Sequence, residues 1–414
     1  MQSGGNPGTL PLGNILATIM DKPHQGPQPI YLDNAATTRP LPEVILTMGQ
    51  VLYDTFANPS STHTAGRDAK VVVETSRREI AALLGARGSQ VFFTSGGTES
   101  DNTVLRGAVH KGIRRIVSCR AEHHAITRTL EAIEQENGAD TPHPVRVEYV
   151  GLESDGRLRM DELERILSCG EDTPTLVSLM HANNETGNLY DLCVIGELCH
   201  RYGALYHTDA VQTVGRVALD LEKLPVDFLS ASAHKFHGPK GVGLLYIRQE
   251  GSLPAWILGG GQERGMRSGT ENVAGIAGMC CALRIAAERM QQDAAEVSRL
   301  RDRLVRGLET MPGVRFNGLC RQGGSEVLPG VVNITLPVKK DASIVLLSLD
   351  MAGVQVSAGS ACMAGALEPS AVLGQLYGPQ DPMAGCPSLR VSIGRFNTPQ
   401  EIDAAVEAIR KVLS

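Results

Sequence analysis

The sequence predicts an α/β protein, with a large domain on a mostly parallel sheet followed by a smaller α+β C-terminal domain. From Gln90 onward, short β-rich runs alternate with helical stretches, which is the pattern of a parallel sheet covered by helices. After Ile247 the alternation stops, and over residues 273–311 Ala, Leu and charged residues recur at helical spacing, so one long helix leads into a second unit. A chain of 414 residues can supply two domains at about 150 residues each.

Residues 1–29, rich in Gly and Pro, read as a flexible N-terminal extension, since the apolar run 15–20 is shorter than the core of a signal peptide. The large domain then occupies 30–272, with its first residues free to join the smaller one. Its strands are expected over 91–93, 116–117, 145–150, 176–180, 204–207 and 242–247. The small domain occupies 273–414, with strands over 331–334 and 389–392 and a closing helix from Gln400.

Composition removes several function classes. Acidic residues number 45 against 39 basic ones, a formal charge of −6, so no basic field is available for a nucleic-acid backbone. No stretch approaches the roughly 20 uninterrupted apolar residues of a membrane span. Nine cysteines, odd in number and without C-x-x-C pairs, argue against a structural zinc and for thiols in a reducing compartment. The expectation is a cytoplasmic protein with no metal and with neither nucleic acid nor membrane as a partner.

Three segments carry chemistry. In Thr94-Ser95-Gly96-Gly97-Thr98-Glu99-Ser100 a strand ends in a Gly turn and a helix begins. Free N–H groups and the positive helix end, with the Thr98 hydroxyl, suit a phosphate. An ordinary turn capped by Ser95 or Thr98 explains the same residues.

The second segment is a pair, His207-Thr208-Asp209-Ala210-Val211-Gln212 and Ser230-Ala231-Ser232-Ala233-His234-Lys235, each at the carboxyl end of a predicted strand. Ligands of open α/β sheets bind along that edge. A lysine for a Schiff base, facing an acid that keeps a pyridine nitrogen protonated, is the combination pyridoxal 5'-phosphate (PLP) requires. The plainer reading is a surface lysine and an Asp that caps a helix.

The third segment is 357–370, where small residues crowd around Cys362 as in a loop presenting a thiol. The other eight cysteines read as inert buried side chains.

On these segments the sequence closely resembles the NifS/IscS-like cysteine desulfurases, class-V aminotransferase relatives within the aspartate-aminotransferase-like, fold-type I PLP enzymes. The match runs from Tyr31-Leu32-Asp33-Asn34-Ala35-Ala36-Thr37-Thr38 to Leu389-Arg390-Val391-Ser392-Ile393-Gly394-Arg395-Phe396, nearly everything after the extension. The resemblance implies that Lys235 bonds the cofactor, Asp209 pairs with its ring nitrogen and Gln212 meets the ring hydroxyl. His123 would stack on the ring and shuttle protons, with His124 a bystander. Gly97, Thr98, Ser232 and His234 would hold the phosphate, joined by Thr270 of the partner subunit, which makes a homodimer the functional unit. Asn34 and Asn184 would contact substrate, Asn184 also the cofactor, and Arg390 would clamp the substrate carboxylate.

The implied reaction converts L-cysteine to L-alanine and leaves the sulfur on Cys362 as a persulfide. A sulfur-acceptor protein, either an iron-sulfur scaffold or a sulfur carrier, would then take it for cluster assembly or other transfer. Lys235 would take the Cα proton and His123 would help form the Cys362 thiolate. Met363-Ala364 replaces the hydroxyl pair usual after the family cysteine. A selenocysteine lyase shares all these features. A PLP-binding, non-catalytic subunit fits less well, because Lys235, Asp209, His123, Cys362 and Arg390 occur together, and an aminotransferase has no use for the cysteine loop.

Overall fold

The computed structural model describes residues 28–138, 141–170, 173–358, 370–378 and 380–413. Residues 1–27 of the expected extension and the segment holding Cys362 lie outside them. In chain order the first part comprises β1 (Ile30–Tyr31), α1 (Pro42–Asp54), α2 (Thr64–Leu83), β2 (Val91–Thr94), α3 (Gly97–His110), β3 (Arg115–Ser118) and α4 (His124–Glu136). There follow β4 (Arg146–Tyr149), α5 (Met160–Ser168), β5 (Thr175–Ser178), α6 (Leu192–Arg201), β6 (Leu205–Asp209), β7 (Phe228–Ser232) and β8 (Gly243–Ile247). Start signals are local: Pro42 opens α1 where no N–H is needed, and His63 Nδ1 accepts from Gly66 N at the start of α2.

Strands β2 to β8 form one sheet in the order β2-β8-β7-β6-β5-β3-β4. Neighbours from β7 to β4 are parallel, while β8 is antiparallel to both β2 and β7. The reversal has a simple cause. Only residues 233–242 separate β7 from β8, too few for the dozen or more that a parallel crossover needs. Strands β2, β3, β5, β7 and β8 are buried along their whole length, which is why they read as apolar runs rather than alternating ones.

Helix α7 (Val273–Glu309) spans two cores. Ile276, Met279 and Leu283 pack with Val44, Val73 and Ile80 in the core of the large sheet. Leu300, Leu304 and Leu308 pack instead with Leu32, Val332, Ile334 and Leu389. The chain continues through β9 (Arg315–Phe316), β10 (Val331–Thr335), α8 (Ala342–Met351), β11 (Val354–Gln355), α9 (Ala371–Tyr377), β12 (Ser388–Ser392) and α10 (Pro399–Leu413). A three-stranded antiparallel sheet β12-β10-β9 forms the second layer, and β1 pairs in parallel with β11 through Ile30 and Val354. This pairing, with the Asp33–Ser392 bridge, draws residues 33–36 to the junction of the two cores.

The α/β class with a mostly parallel central sheet is as the sequence led us to expect. The eight cysteines read as buried divide differently. Cys119, Cys199, Cys280, Cys281 and Cys320 are buried and Cys386 half-buried, but Cys169 and Cys193 are exposed, because one caps the end of α5 and the other lies in the first turn of α6. Among the described residues no helix is long and apolar enough to cross a membrane.

Candidate active site

A cavity of about 730 Å³ opens where the parallel strands end. Asp209 closes β6, Lys235 ends the short turn after β7, His123 follows β3, Asn184 follows β5, and Gly97 starts the helix after β2. All five line it, as do Thr98, Gln212, Ser232, His234 and Arg390.

The Lys235 ammonium donates to the carbonyls of Ala35 at 2.6 Å and Ala36 at 3.0 Å. Burial pulls its pKa down to about 7, and the positive charges of Arg390 and Arg216 act in the same direction. Arg216 donates to the carbonyls of Lys235 and Asn34. The lysine is therefore poised between amine and ammonium near neutral pH, as an amine nucleophile or general base should be.

Four buried carboxyl groups, those of Asp101, Glu122, Glu185 and Asp209, line this space. Asp209 Oδ1 accepts from Val211 N at 2.8 Å. Burial pushes its pKa up, while nearby His123, the Val211 N–H and Lys235 pull it back. Glu122 Oε1 accepts from Met180 N at 2.7 Å, but Glu122 Oε2 and Asp101 Oδ1 are buried without a hydrogen-bond partner. Burial, followed for Asp101 by the charge of Asp209, raises both well above the usual carboxylate range. Reading the sequence missed these two acids. A signal existed, because Asp101 lies three residues after Thr98 on the same helix face and Glu122 immediately precedes His123.

His123 is the N-cap of α4, its Nδ1 accepting from Ala125 N at 3.1 Å. That bond places the proton of the neutral ring on Nε2, so a second proton at Nδ1 costs the cap. Burial likewise lowers its pKa. His124 also lines the cavity, with its ring centroid 6.3 Å from that of His123.

At the far end, the first turn of α3 meets Ser232 and His234. Gly97 is required here, since a Cβ would lie 2.5 Å from Val211 Cγ2. His234 Nδ1 contacts Thr37 Oγ1 at 3.1 Å. Glu99 occupies part of the helix end by accepting from Ser95 N at 2.9 Å, and Arg267 holds it through contacts of 2.9 and 3.2 Å.

Arg390 also lines the cavity, its Nη2 donating to Asp33 Oδ1 at 2.9 Å and its Nη1 to the Asn184 carbonyl at 3.0 Å. Its Nε is buried without a partner. Of the residues expected from this chain, Asn34 is not brought into the cavity, while Thr270 was expected from the partner subunit. Asn34 is buried but spends its amide on the Ser392 carbonyl at 2.9 Å. Thr270 is exposed and lines a separate hollow with Ser95 and Asn272. Cys362 lies outside the described residues.

The residues present fit PLP. The cavity suits a cofactor together with a small substrate. Gln212 donates through Nε2 to the Ala35 carbonyl and leaves Oε1 buried and unpartnered, an acceptor that calls for a ligand hydroxyl. Lys235, Asp209 and the α3 terminus would supply the amine, the acid and the phosphate cradle that this cofactor needs.

Fold and site together define a PLP-dependent enzyme of the fold-type I architecture. The chain belongs to the class-V aminotransferase family, whose family model matches residues 30–405. Within that family it is similar to the cysteine desulfurase IscS of Klebsiella pneumoniae, 42% identical over 92% of each chain. It is also similar to the cysteine desulfurase IscS of Clostridium botulinum, 38% identical over 93% of this chain and 94% of the relative. Among solved structures it is similar to a NifS-like protein at 34% identity, TM-score 0.83, covering 93% of this chain and 99% of that one. A NifS-like protein of Rickettsia africae aligns at 30% identity with TM-score 0.80, covering 93% and 99% of the two chains.

Proposed function

We propose that this cysteine desulfurase takes free L-cysteine, releases L-alanine and retains the sulfur as a persulfide on Cys362. The observation that carries the reading is one cavity lined both by the buried Lys235 amine, held by the Ala35 and Ala36 carbonyls, and by the Arg390 guanidinium with an unpartnered Nε. Together they recognise an amino acid.

Arg390 binds the α-carboxylate through its planar fork, sharing the guanidinium with Asp33. Lys235 takes the Cα proton and later returns a proton to the product. Asp209 stays anionic to hold a ring nitrogen protonated, and Gln212 and Asn184 orient the ring side. Gly97, Thr98, Ser232 and His234 hold the phosphate. PLP supplies the electron sink for the charge that develops at Cα. The Cys362 thiolate attacks the substrate sulfur, so an S–S bond forms as the C–S bond breaks. Cysteine and one thiol become alanine and one persulfide, in balance.

Exposed Thr270 and exposed apolar residues near the end of α1 support a homodimer that completes the phosphate site. Thr270 is exposed next to the α3 terminus, and Leu52, Tyr53 and Phe56 at the end of α1 are exposed apolar residues that a second subunit would cover. Residues 30–272 form the cofactor domain and 273–414 the small domain, with β1 joining the latter. The persulfide passes to an acceptor protein in the cytoplasm, an iron-sulfur scaffold or a sulfur carrier.

The test is alanine and sulfide release from L-cysteine with a reductant, in PLP-loaded wild type, Lys235→Ala and Cys362→Ala. Alanine and sulfide in step from wild type, with both variants inactive and Cys362→Ala still yellow, supports the reading. Full activity in Cys362→Ala removes the persulfide route.

A further inference from the structure

We propose that Glu185 is a positioning residue for sulfur transfer, fixing through Ser370 the point at which the chain returns to the cavity wall after the Cys362 segment. The proposal rests on the desulfurase reading above. Glu185 lines the cavity and is only 7% exposed. Its Oε2 accepts the Ser370 hydroxyl at 2.5 Å, the short end of the range for a hydroxyl donor.

Glu185 is itself held from both sides. Its N–H donates to Asn183 Oδ1 at 2.9 Å, and its carbonyl accepts from Asn333 Nδ2 at 3.1 Å. Both asparagines are fully buried, and Asn333 belongs to β10 of the small sheet. The post therefore stands where the two sheets meet. The other flank of the segment is tied to the same wall. Ser357 and Arg390 exchange backbone hydrogen bonds of 2.7 and 3.3 Å, and Arg390 in turn donates to the Asn184 carbonyl. Ser357 and Ser370 are thus both anchored, one to the arginine proposed to bind substrate and one to the residue after Asn184.

Helix capping does not account for Glu185. The N-cap of α9 is complete without it, since Ser370 Oγ accepts from Leu373 N at 3.1 Å. The hydroxyl proton needs only some acceptor, and at half-exposed Ser370 water would serve. Burying a carboxyl group costs free energy. The Ser370 bond and the Arg390 charge offset only part of that cost, and what the buried group gains is a fixed direction for the chain at this spot.

The experiment uses the full-length, PLP-loaded protein with Glu185→Ala, Glu185→Gln and Ser370→Ala, with wild type and Cys362→Ala as references. Melting temperature, cofactor absorbance, KM for L-cysteine and the single-turnover rate of Cys362 persulfide formation, read by alkylation and mass spectrometry, are measured for each. Glu185→Ala and Ser370→Ala should keep the absorbance and KM but form persulfide about ten- to a hundredfold more slowly, the loss expected for a nucleophile misplaced by about 1 Å. Glu185→Gln keeps an acceptor for Ser370 and should recover most of the rate. Wild-type persulfide rates in both Glu185→Ala and Ser370→Ala, with Cys362→Ala inactive, overturn the inference and leave the desulfurase reading standing. So does a loss confined to cofactor absorbance or melting temperature. A wild type that makes no alanine fails the desulfurase reading first.

Discussion

Arg77 and Glu263 face each other through two hydrogen bonds of 2.7 Å, with each side chain only 3% exposed. Glu263 Oε2 also accepts from Phe93 N at 2.8 Å, on the strand that feeds the α3 terminus. The pair holds a backbone that would otherwise relax, since Glu263 and Arg264 have φ of 47° and 57°. Such left-handed residues cost roughly 1–2 kcal/mol each. A few residues on, Arg267 clamps Glu99 in the first turn of α3. Glu263→Ala should destabilise the protein by about 3 kcal/mol in denaturant unfolding, because it removes the buried partner of Arg77 and leaves only the half-exposed Glu74 facing that charge. Adding Arg77→Met should restore part of the loss. A single variant as stable as wild type would show that water reaches Arg77.

Lys235 predicts a pH profile for cofactor capture. Only the neutral amine attacks an aldehyde, and with a pKa of about 7 the rate of PLP capture by apoprotein should climb through pH 7 and level off above it. An ordinary lysine, near 10.4, would still be climbing at pH 9. Since the Arg216 charge lowers this pKa, Arg216→Gln should move the midpoint upward in stopped-flow absorbance. Linkage has a matching sign. Between about pH 7 and 10.4 the unfolded lysine holds a proton that the folded one lacks, so this group makes apoprotein stability rise with pH across that window.

Among the buried carboxyl groups Asp101, Glu122 and Asp209, Asp209 is the one facing both His123 and Lys235, whose charges favour its ionised form. Glu122→Gln and Asp101→Asn mimic neutral acids and should leave PLP affinity near wild type in spectroscopic titration. Asp209→Asn should lose about tenfold or more, the equivalent of one pKa unit of charge pairing. A comparable loss in Glu122→Gln would mean that Glu122 acts as an anion.

Gly97→Ala places a methyl group against Val211 and should shift the first turn of α3. PLP affinity should fall while that for pyridoxal, which lacks the phosphate, changes little. Equal losses for both ligands would mean that the turn does not hold the phosphate.

How much of this was legible beforehand depended on whether a residue acts through local pattern or distant neighbours. Lys235, Asp209 and Gly97 stand at strand ends and a helix start, where backbone chemistry marks ligand sites, so their type and position sufficed to bring them to one edge. Asn34 was not legible in the same way. Its amide turns to the Ser392 carbonyl, 358 residues away, because β1 pairs beside β11. The burial of Asp101 and Glu122, the orphaned Gln212 oxygen and the exposure of Cys169 and Cys193 likewise depend on what packs around them.

By itself the sequence determined the α/β class, the long helix after residue 273, and the identity of the lysine, acid and glycine turn at the sheet edge, because periodicity and turn chemistry act over a few residues. The tertiary structure alone decided which of those groups is charged, which polar atoms await a ligand, and that Glu185 meets Ser370. Desolvation, Coulomb coupling and contacts across 185 positions arise only once the two cores are packed together.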